Sequence, residues 1–196
     1  MEYALRYQDH VILSSPYCEV VAAFIEFLEI NGIKIATSAT VSIQAERKLF
    51  SAVKGIVDRV LGRRGKQVRV MMFVKCRSRL RRLWKRVAIL SLQGDPGPVE
   101  NFYRNLLKNP LTKAKLEKLR DVKTTRTGLM PDKSDMQILS EAIALKERNE
   151  VVYFVSKDGD FCEFPREIYN AFSLKVLHLS DLSQVKRQLE TQIRES

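Results

Sequence analysis

The apolar positions of this chain alternate between short continuous runs and helical stripes. His10-Val11-Ile12-Leu13 reads as a buried strand, and Pro16 suits the first turn of a helix. Val20, Ala23, Phe24, Phe27, Leu28 and Ile30 then recur at helical spacing up to Asn31-Gly32, a stop signal. Ile33 to Ala36 predicts a second strand. After Thr37-Ser38 comes a helix with Val41, Ala45, Leu49, Ala52, Val53, Ile56 and Val60 on one stripe, closed by Gly62-Arg63-Arg64-Gly65. Strand, helix, strand, helix with short connections favours a parallel sheet with helices on its faces.

The middle is less decided. Gln67 to Val74 is rich in β-formers and Val87 to Leu92 is another apolar run. They fit two strands of a basic hairpin, or a strand and a helix centred on Leu80, Leu83, Trp84 and Val87. Gly94-Asp95-Pro96-Gly97-Pro98 is a break. It lacks the lysine and hydroxyl residue of a phosphate loop, so it reads only as a turn. Val99 to Lys108 and Thr112 to Asp121 predict two shorter helices, followed by a polar linker from Lys123 to Gly128.

The last third recovers the alternation. Pro131-Asp132-Lys133-Ser134 opens a helix carrying Asp135, Ile138, Leu139, Ala142, Ile143 and Leu145 near one face. Val151 to Val155 is a continuous apolar strand of the kind found inside parallel sheets, and Ser156-Lys157-Asp158-Gly159-Asp160-Phe161 follows it. Pro165 to Phe172 reads as helix, Leu174 to Leu177 as strand, and Leu182 to Ile193 as a closing helix.

Composition narrows the class. With 45% hydrophobic and 29% charged residues the chain is suited to a folded core, and it has no apolar run long enough to span a bilayer. The N-terminus lacks the apolar stretch of a signal peptide. Cys18, Cys76 and Cys162 are too scattered for a disulfide framework or a zinc site, and a cytoplasmic location follows. His10 and His178 stand at opposite ends of the pattern and support no catalytic triad.

Charge changes the picture more. Arg63 to Arg126 carries 19 Lys and Arg against four acids, so the whole excess of the +11 chain sits in the middle third. A one-signed stretch of that kind draws polyanions and gains from counterion release, unless it is merely a solvated face. Arg79, Arg81, Arg82, Lys85 and Arg86 surround Trp84, a mixture able to stack and clamp single-stranded RNA; the alternative is Trp84 as a core residue with basic neighbours in solvent.

Candidate chemistry lies beyond the carboxyl ends of the predicted parallel strands. Asp158 and Asp160 follow the Val151 to Val155 strand, and Asp135 opens the helix feeding it. Brought together, such carboxylates repel one another, and Mg²⁺ or Mn²⁺ is the usual resolution. The plainer alternatives are that Asp132 and Asp135 cap a helix and that Asp158-Gly159-Asp160 is a turn.

Asp135, the apolar helix after it, and the strand ending in Ser156-Lys157-Asp158-Gly159-Asp160-Phe161 resemble the C-terminal half of the PIN family of ribonucleases. Thr37 to Val41 leading to Glu46-Arg47-Lys48 is similar to a family helix carrying a glutamate. The resemblance covers roughly residues 9–61 and 129–182, and residues 63–128 form a basic insertion or divergent middle segment in a single domain spanning 1–196. It implies a three-layer α/β/α fold with a central parallel sheet and a metal-dependent endoribonuclease activity, including the toxin role of a toxin–antitoxin pair. Glu46, Asp135 and Asp158 would be catalytic metal ligands for Mg²⁺ or Mn²⁺, with Asp160 a further ligand. RNA would be the substrate, and an antitoxin-like protein or a second copy would be protein partners. One position departs: Ser14 stands where the family has an aspartate after the first strand. A neutral hydroxyl weakens metal affinity and raises the hydrolytic barrier, which opens the alternative of a non-catalytic RNA-binding or protein-docking module.

Overall fold

The computed structural model of the chain describes residues 25–32, 35–122, 128–148, 153–156 and 158–178, with Asp181, Ser183, Lys186, Arg187 and Thr191 of the C-terminal segment. The predicted strand at His10, the first part of the helix after Pro16, Ser14, the linker core at 123–127 and most of the closing helix lie outside these residues.

Residues 25–30 are helical and end at Asn31-Gly32, where Gly32 takes a φ of +66° that a side chain would strain. Ile25, Phe27 and Leu28 are buried, whereas Ile30, expected on the same stripe, faces outward. Strand β1 (Ala36–Ser38) runs past the expected end at Ala36, and its last residue caps the next helix. Ser38 Oγ accepts from the Val41 amide at the start of α1 (Ala39–Leu61), and Gly62 at φ +56° ends that helix.

The largest correction falls on Gln67 to Val74. This β-rich stretch is not a strand in either of the expected arrangements; it lies inside α2, one helix over Lys66–Trp84. Val68, Met72 and Cys76 are spaced four apart, so on a helix they form a seam that meets Val53 and Val57 of α1. That tertiary seam, with Met, Arg and Lys as good helix formers between, outweighs local β propensity. The α1 stripe is also turned from the expected one: Val53 and Val57 are its buried centre, and Val60 is exposed.

Strand β2 (Ala88–Leu90) falls within the predicted Val87 to Leu92 run and pairs parallel with β1, Thr37 opposite Ile89. Asp95 then caps α3 (Pro96–Lys108) by accepting from the Gly97 amide, with Pro96 in the first turn. Helix α4 (Pro110–Val122) follows after one residue, and α5 (Lys133–Glu147) is capped by Asp132. Strand β3 (Tyr153–Ser156) leads through the single turn α6 (Gly159–Cys162) and α7 (Pro165–Phe172) to β4 (Lys175–His178). These strands are again parallel, Phe154 opposite Val176.

The fold is thus α/β and mainly helical, with the described strands in two small parallel sheets, β1-β2 and β3-β4. One core joins Val99, Tyr103 and Leu106 of α3 to Leu116, Leu139, Phe161, Phe164, Ile168 and Leu174. Residues from the basic middle segment therefore build the principal core and also supply β2. No helix of the described residues is long and apolar enough to cross a membrane.

Close packing at Gly94 gives a stability prediction. A Cβ there would collide with the Ser140 backbone of α5, whereas one at Gly55, inside α1, would meet nothing within 4 Å. Gly94→Ala is expected to lower the unfolding free energy by about 1–3 kcal/mol. Gly55→Ala should raise it by about 0.5–1 kcal/mol, the usual helix-interior difference. Denaturant midpoints of the two variants measure both.

Candidate metal centre

Two helix starts bring the acids together. Asp132 accepts from the Asp135 amide at 2.9 Å and from Ser134 Oγ at 2.6 Å, so the cap of α5 is Asp132 and not Asp135. Asp135, three residues on, is buried in the first turn, where a carboxylate is favoured by the helix dipole. After β3, the Asp158 amide donates to Ser156 Oγ at 3.0 Å, and Asp158 Oδ1 accepts from the Asp160 amide at 3.0 Å. The Asp-Gly-Asp run is therefore a capped turn, and it also aims its two acids toward Asp135.

One carboxylate oxygen from each of Asp135, Asp158 and Asp160 lies within 4.8 Å of the others. Oxygens around a six-coordinate Mg²⁺ are separated by ~3.0 Å when adjacent and ~4.2 Å when opposite, given bonds of ~2.1 Å. Small side-chain rotations cover the difference, and an all-oxygen donor set suits a hard cation. Asp135 and Asp158 open onto a cleft of about 470 Å³ that Asp132 and Ser134 also line, together with Thr40, Ile43, Gln44, Arg47 and Lys48 of α1.

Asp160 plays a different part. It is fully buried, and its Oδ1 meets Arg120 Nη1 of α4 at 2.7 Å. Arg120 is held in turn by donating to the Gly128 and Leu129 carbonyls at 3.1 and 3.0 Å. Tyr103 donates its hydroxyl to the Asp160 carbonyl at 2.6 Å. Burial and then the negative charges of Asp160, Asp135 and Asp158 push the Tyr103 phenol well above its ordinary range. Burial, helped by Asp158, likewise raises the Cys162 thiol to about 11, and its Sγ donates to the Ser156 carbonyl.

Glu46 is not brought to this group. Its two oxygens face Arg77 of α2 at 3.2 and 3.0 Å. The reason is rotational: Glu46 shares the α1 stripe of Leu49, Val53 and Val57 that packs on α2, while Thr40, Ile43, Gln44, Arg47 and Lys48 form the face turned to the cleft. Among the RNA-binding candidates, Arg81, Arg82 and Lys85 are exposed. Arg86 is bound by both oxygens of Glu29, at 3.0 and 2.5 Å, and its hydrogen bonding, helped by its charge, lowers the Glu29 pKa. Trp84 is half-buried with its indole N–H turned inward, and the Arg79 side chain and Ser14 lie outside what is described.

Sequence reasoning missed two buried charges. Arg120 looked like any other cation of the basic segment. Glu141 is buried in α5, where one oxygen accepts from Thr40 Oγ1 at 2.6 Å and Gln137 Nε2 at 3.1 Å. An acid embedded among Leu139, Ala142 and Ile143 was the available signal.

Removing one partner of a buried pair leaves the other charge uncompensated, so Arg120→Met is expected to cost about 3–5 kcal/mol. Combined with Asp160→Asn the loss should be smaller than the sum of the single losses, as urea unfolding of the four proteins in the cycle would report. Compared with known proteins, the chain matches no family model, no curated protein and no solved structure.

Proposed function

We propose that this chain is a PIN-like, metal-dependent ribonuclease that holds Mg²⁺ or Mn²⁺ at Asp135 and Asp158. The observation carrying this reading is the meeting of Asp135, Asp158 and Asp160 within 4.8 Å, the first two opening onto one cleft, from two segments that the family resemblance had already singled out. The parallel pairs β1-β2 and β3-β4 agree with it, because Thr40 just after β1 and Asp158 just after β3 line the same cleft. On this reading the two pairs are halves of one parallel sheet in a three-layer arrangement. Crevices beyond the carboxyl ends of such strands are where ligands bind in open α/β sheets.

A divalent cation, when bound, supplies charge neutralisation at the phosphate and a more acidic water. Asp135 and Asp158 are the residues that would hold it. Asp160, tied to Arg120, fixes the turn that carries Asp158 and contributes a ligand oxygen only by sharing its charge with Arg120. Glu46 is assigned to the α1–α2 ion pair and not to the metal. The exposed Arg81, Arg82 and Lys85 add to the field that attracts RNA, which is the macromolecular partner of this reading.

A second reading, a PIN-like module that binds RNA without cleaving it, has its own support in Ser14 and in the engagement of Asp160 by Arg120. Arg120 offsets the Asp160 charge beside the cation site, and Ser14 stands where the family resemblance implies an acid. Cleavage then requires the acid that Ser14 lacks.

An ion that binds only the folded chain raises its melting temperature by mass action. Excess Mn²⁺ is therefore expected to raise the melting temperature of the parent and of Glu46→Gln, and to leave Asp135→Asn and Asp158→Asn unmoved. The same proteins, with Ser14→Asp added, go into a Mn²⁺-dependent cleavage assay on single-stranded RNA. Cleavage by the parent that is lost in Asp135→Asn and Asp158→Asn establishes the nuclease. Cleavage gained only in Ser14→Asp establishes the binding module. No Mn²⁺ shift in the parent would sink both metal assignments.

A further inference from the structure

The acidic cleft has a second wall of opposite charge. Thr40, Ile43, Gln44, Arg47 and Lys48 fall at i, i+3, i+4, i+7 and i+8, one face of α1, and that face lines the cleft with Asp135 and Asp158. Arg47 and Lys48 are exposed, and neither pairs with an acid among the described residues. Glu46, the neighbouring acid able to neutralise them, has both oxygens turned to Arg77 on the other side of the helix. The Glu46–Arg77 pair thus keeps the glutamate away from the cleft and leaves two positive charges inside it.

Cations and carboxylates sharing one cleft have a chemical logic if the ligand is an anion that also meets a metal. Carboxylates alone repel a phosphodiester backbone. Arginine grips phosphate oxygens with a planar fork, and lysine adds a compact point charge. Between them Ile43, 54% exposed, offers an apolar surface on which a ribose or base can rest.

We propose that Arg47 and Lys48 hold the phosphates of single-stranded RNA in this cleft, beside the atoms bound by Asp135 and Asp158. The proposal rests on the reading of those two aspartates as a cation site. It makes the α1 face a sequence-tolerant phosphate grip, distinct from the exposed cations of α2, which act through long-range attraction.

The test uses the full chain, a fluorescein-labelled oligouridine and anisotropy titrations over about 0.05–0.2 M salt. Lys54→Gln/Arg59→Gln, a pair of exposed changes on α1 that do not line the cleft and remove the same two charges, controls for net charge. The double variant Arg47→Gln/Lys48→Gln is expected to bind at least ten times more weakly than Lys54→Gln/Arg59→Gln. Its log–log salt slope should fall by about 1.4, two phosphate contacts on a single strand. Arg47→Lys should keep the slope and bind more weakly than the parent, because charge survives and the fork does not. The Mn²⁺ shift in melting temperature should persist in all of them. Equal RNA binding by Arg47→Gln/Lys48→Gln and Lys54→Gln/Arg59→Gln, with the Mn²⁺ shift intact, overturns the phosphate grip and leaves the cation site standing. An absent Mn²⁺ shift in the parent removes the cation site, and the grip argued from it falls as well.

Discussion

Three carboxylates gathered within 4.8 Å are a burden on folding, and the buried Arg120–Asp160 pair is what makes the gathering tolerable. Mutual repulsion among such groups opposes bringing them together. Arg120 reaches in from α4 and offsets one charge at the innermost position, while its other nitrogens are consumed by the Gly128 and Leu129 carbonyls. The contact does mechanical work too. It fastens α4 to the turn after β3, where Gly159 lets the helices approach so closely that a Cβ would lie 2.6 Å from Leu119. Asp158, projecting from that turn, inherits its position from a salt bridge it does not make.

The same separation between residues that hold the fold and residues that face the cleft runs along α1. A helix presents different residues every hundred degrees, and here adjacent residues have unrelated duties. Glu46 belongs to the seam packed on α2 and is spent in an ion pair with Arg77. Arg47 and Lys48, next along the chain, belong to the face that borders the acids. A resemblance carried by sequence order treats Glu46-Arg47-Lys48 as one motif, whereas the helix splits it between two surfaces.

That split explains how much was legible beforehand. Asp135 and Asp158 could be read because each is locally signalled: one sits behind an N-cap and the other behind a β-strand, and parallel topology brings such points together. The helix stop at Gly62 and the helix start at Pro165 were equally readable, whereas Asp95-Pro96, expected only as a turn, opens α3. What could not be read were facts decided by a distant partner. Val68, Met72 and Cys76 become a helical seam only because Val53 and Val57 face them, and without those partners the valines favour a strand. Arg120 differs from its basic neighbours only in meeting Asp160, 40 positions on. Rotational phase was the other blind spot. The α1 stripe drawn through Ala45, Ala52 and Val60 is off by enough to put Val60 in solvent and to leave the direction of Glu46 undecided.

The charge surplus needs the same local treatment. A net charge of +11 with its excess in the middle third suggests an open basic face, yet many of those cations already have acidic partners. Arg69 binds Asp58, Arg77 binds Glu46, Arg86 binds Glu29, Arg104 binds Glu100, and Arg120 binds Asp160. Several of these pairs join the middle segment to the N-terminal third, so part of the surplus is a structural adhesive. Long-range attraction depends on total charge and survives such pairing, whereas a direct grip on phosphate needs a cation not already engaged. The two quantities therefore point to different places: the field to the middle segment as a whole, and direct contact to exposed groups such as Arg81, Arg82, Arg47 and Lys48. Only the last two of these line the cleft with Asp135 and Asp158, so if phosphate chemistry occurs in this protein, α1 is the helix that presents the backbone to it.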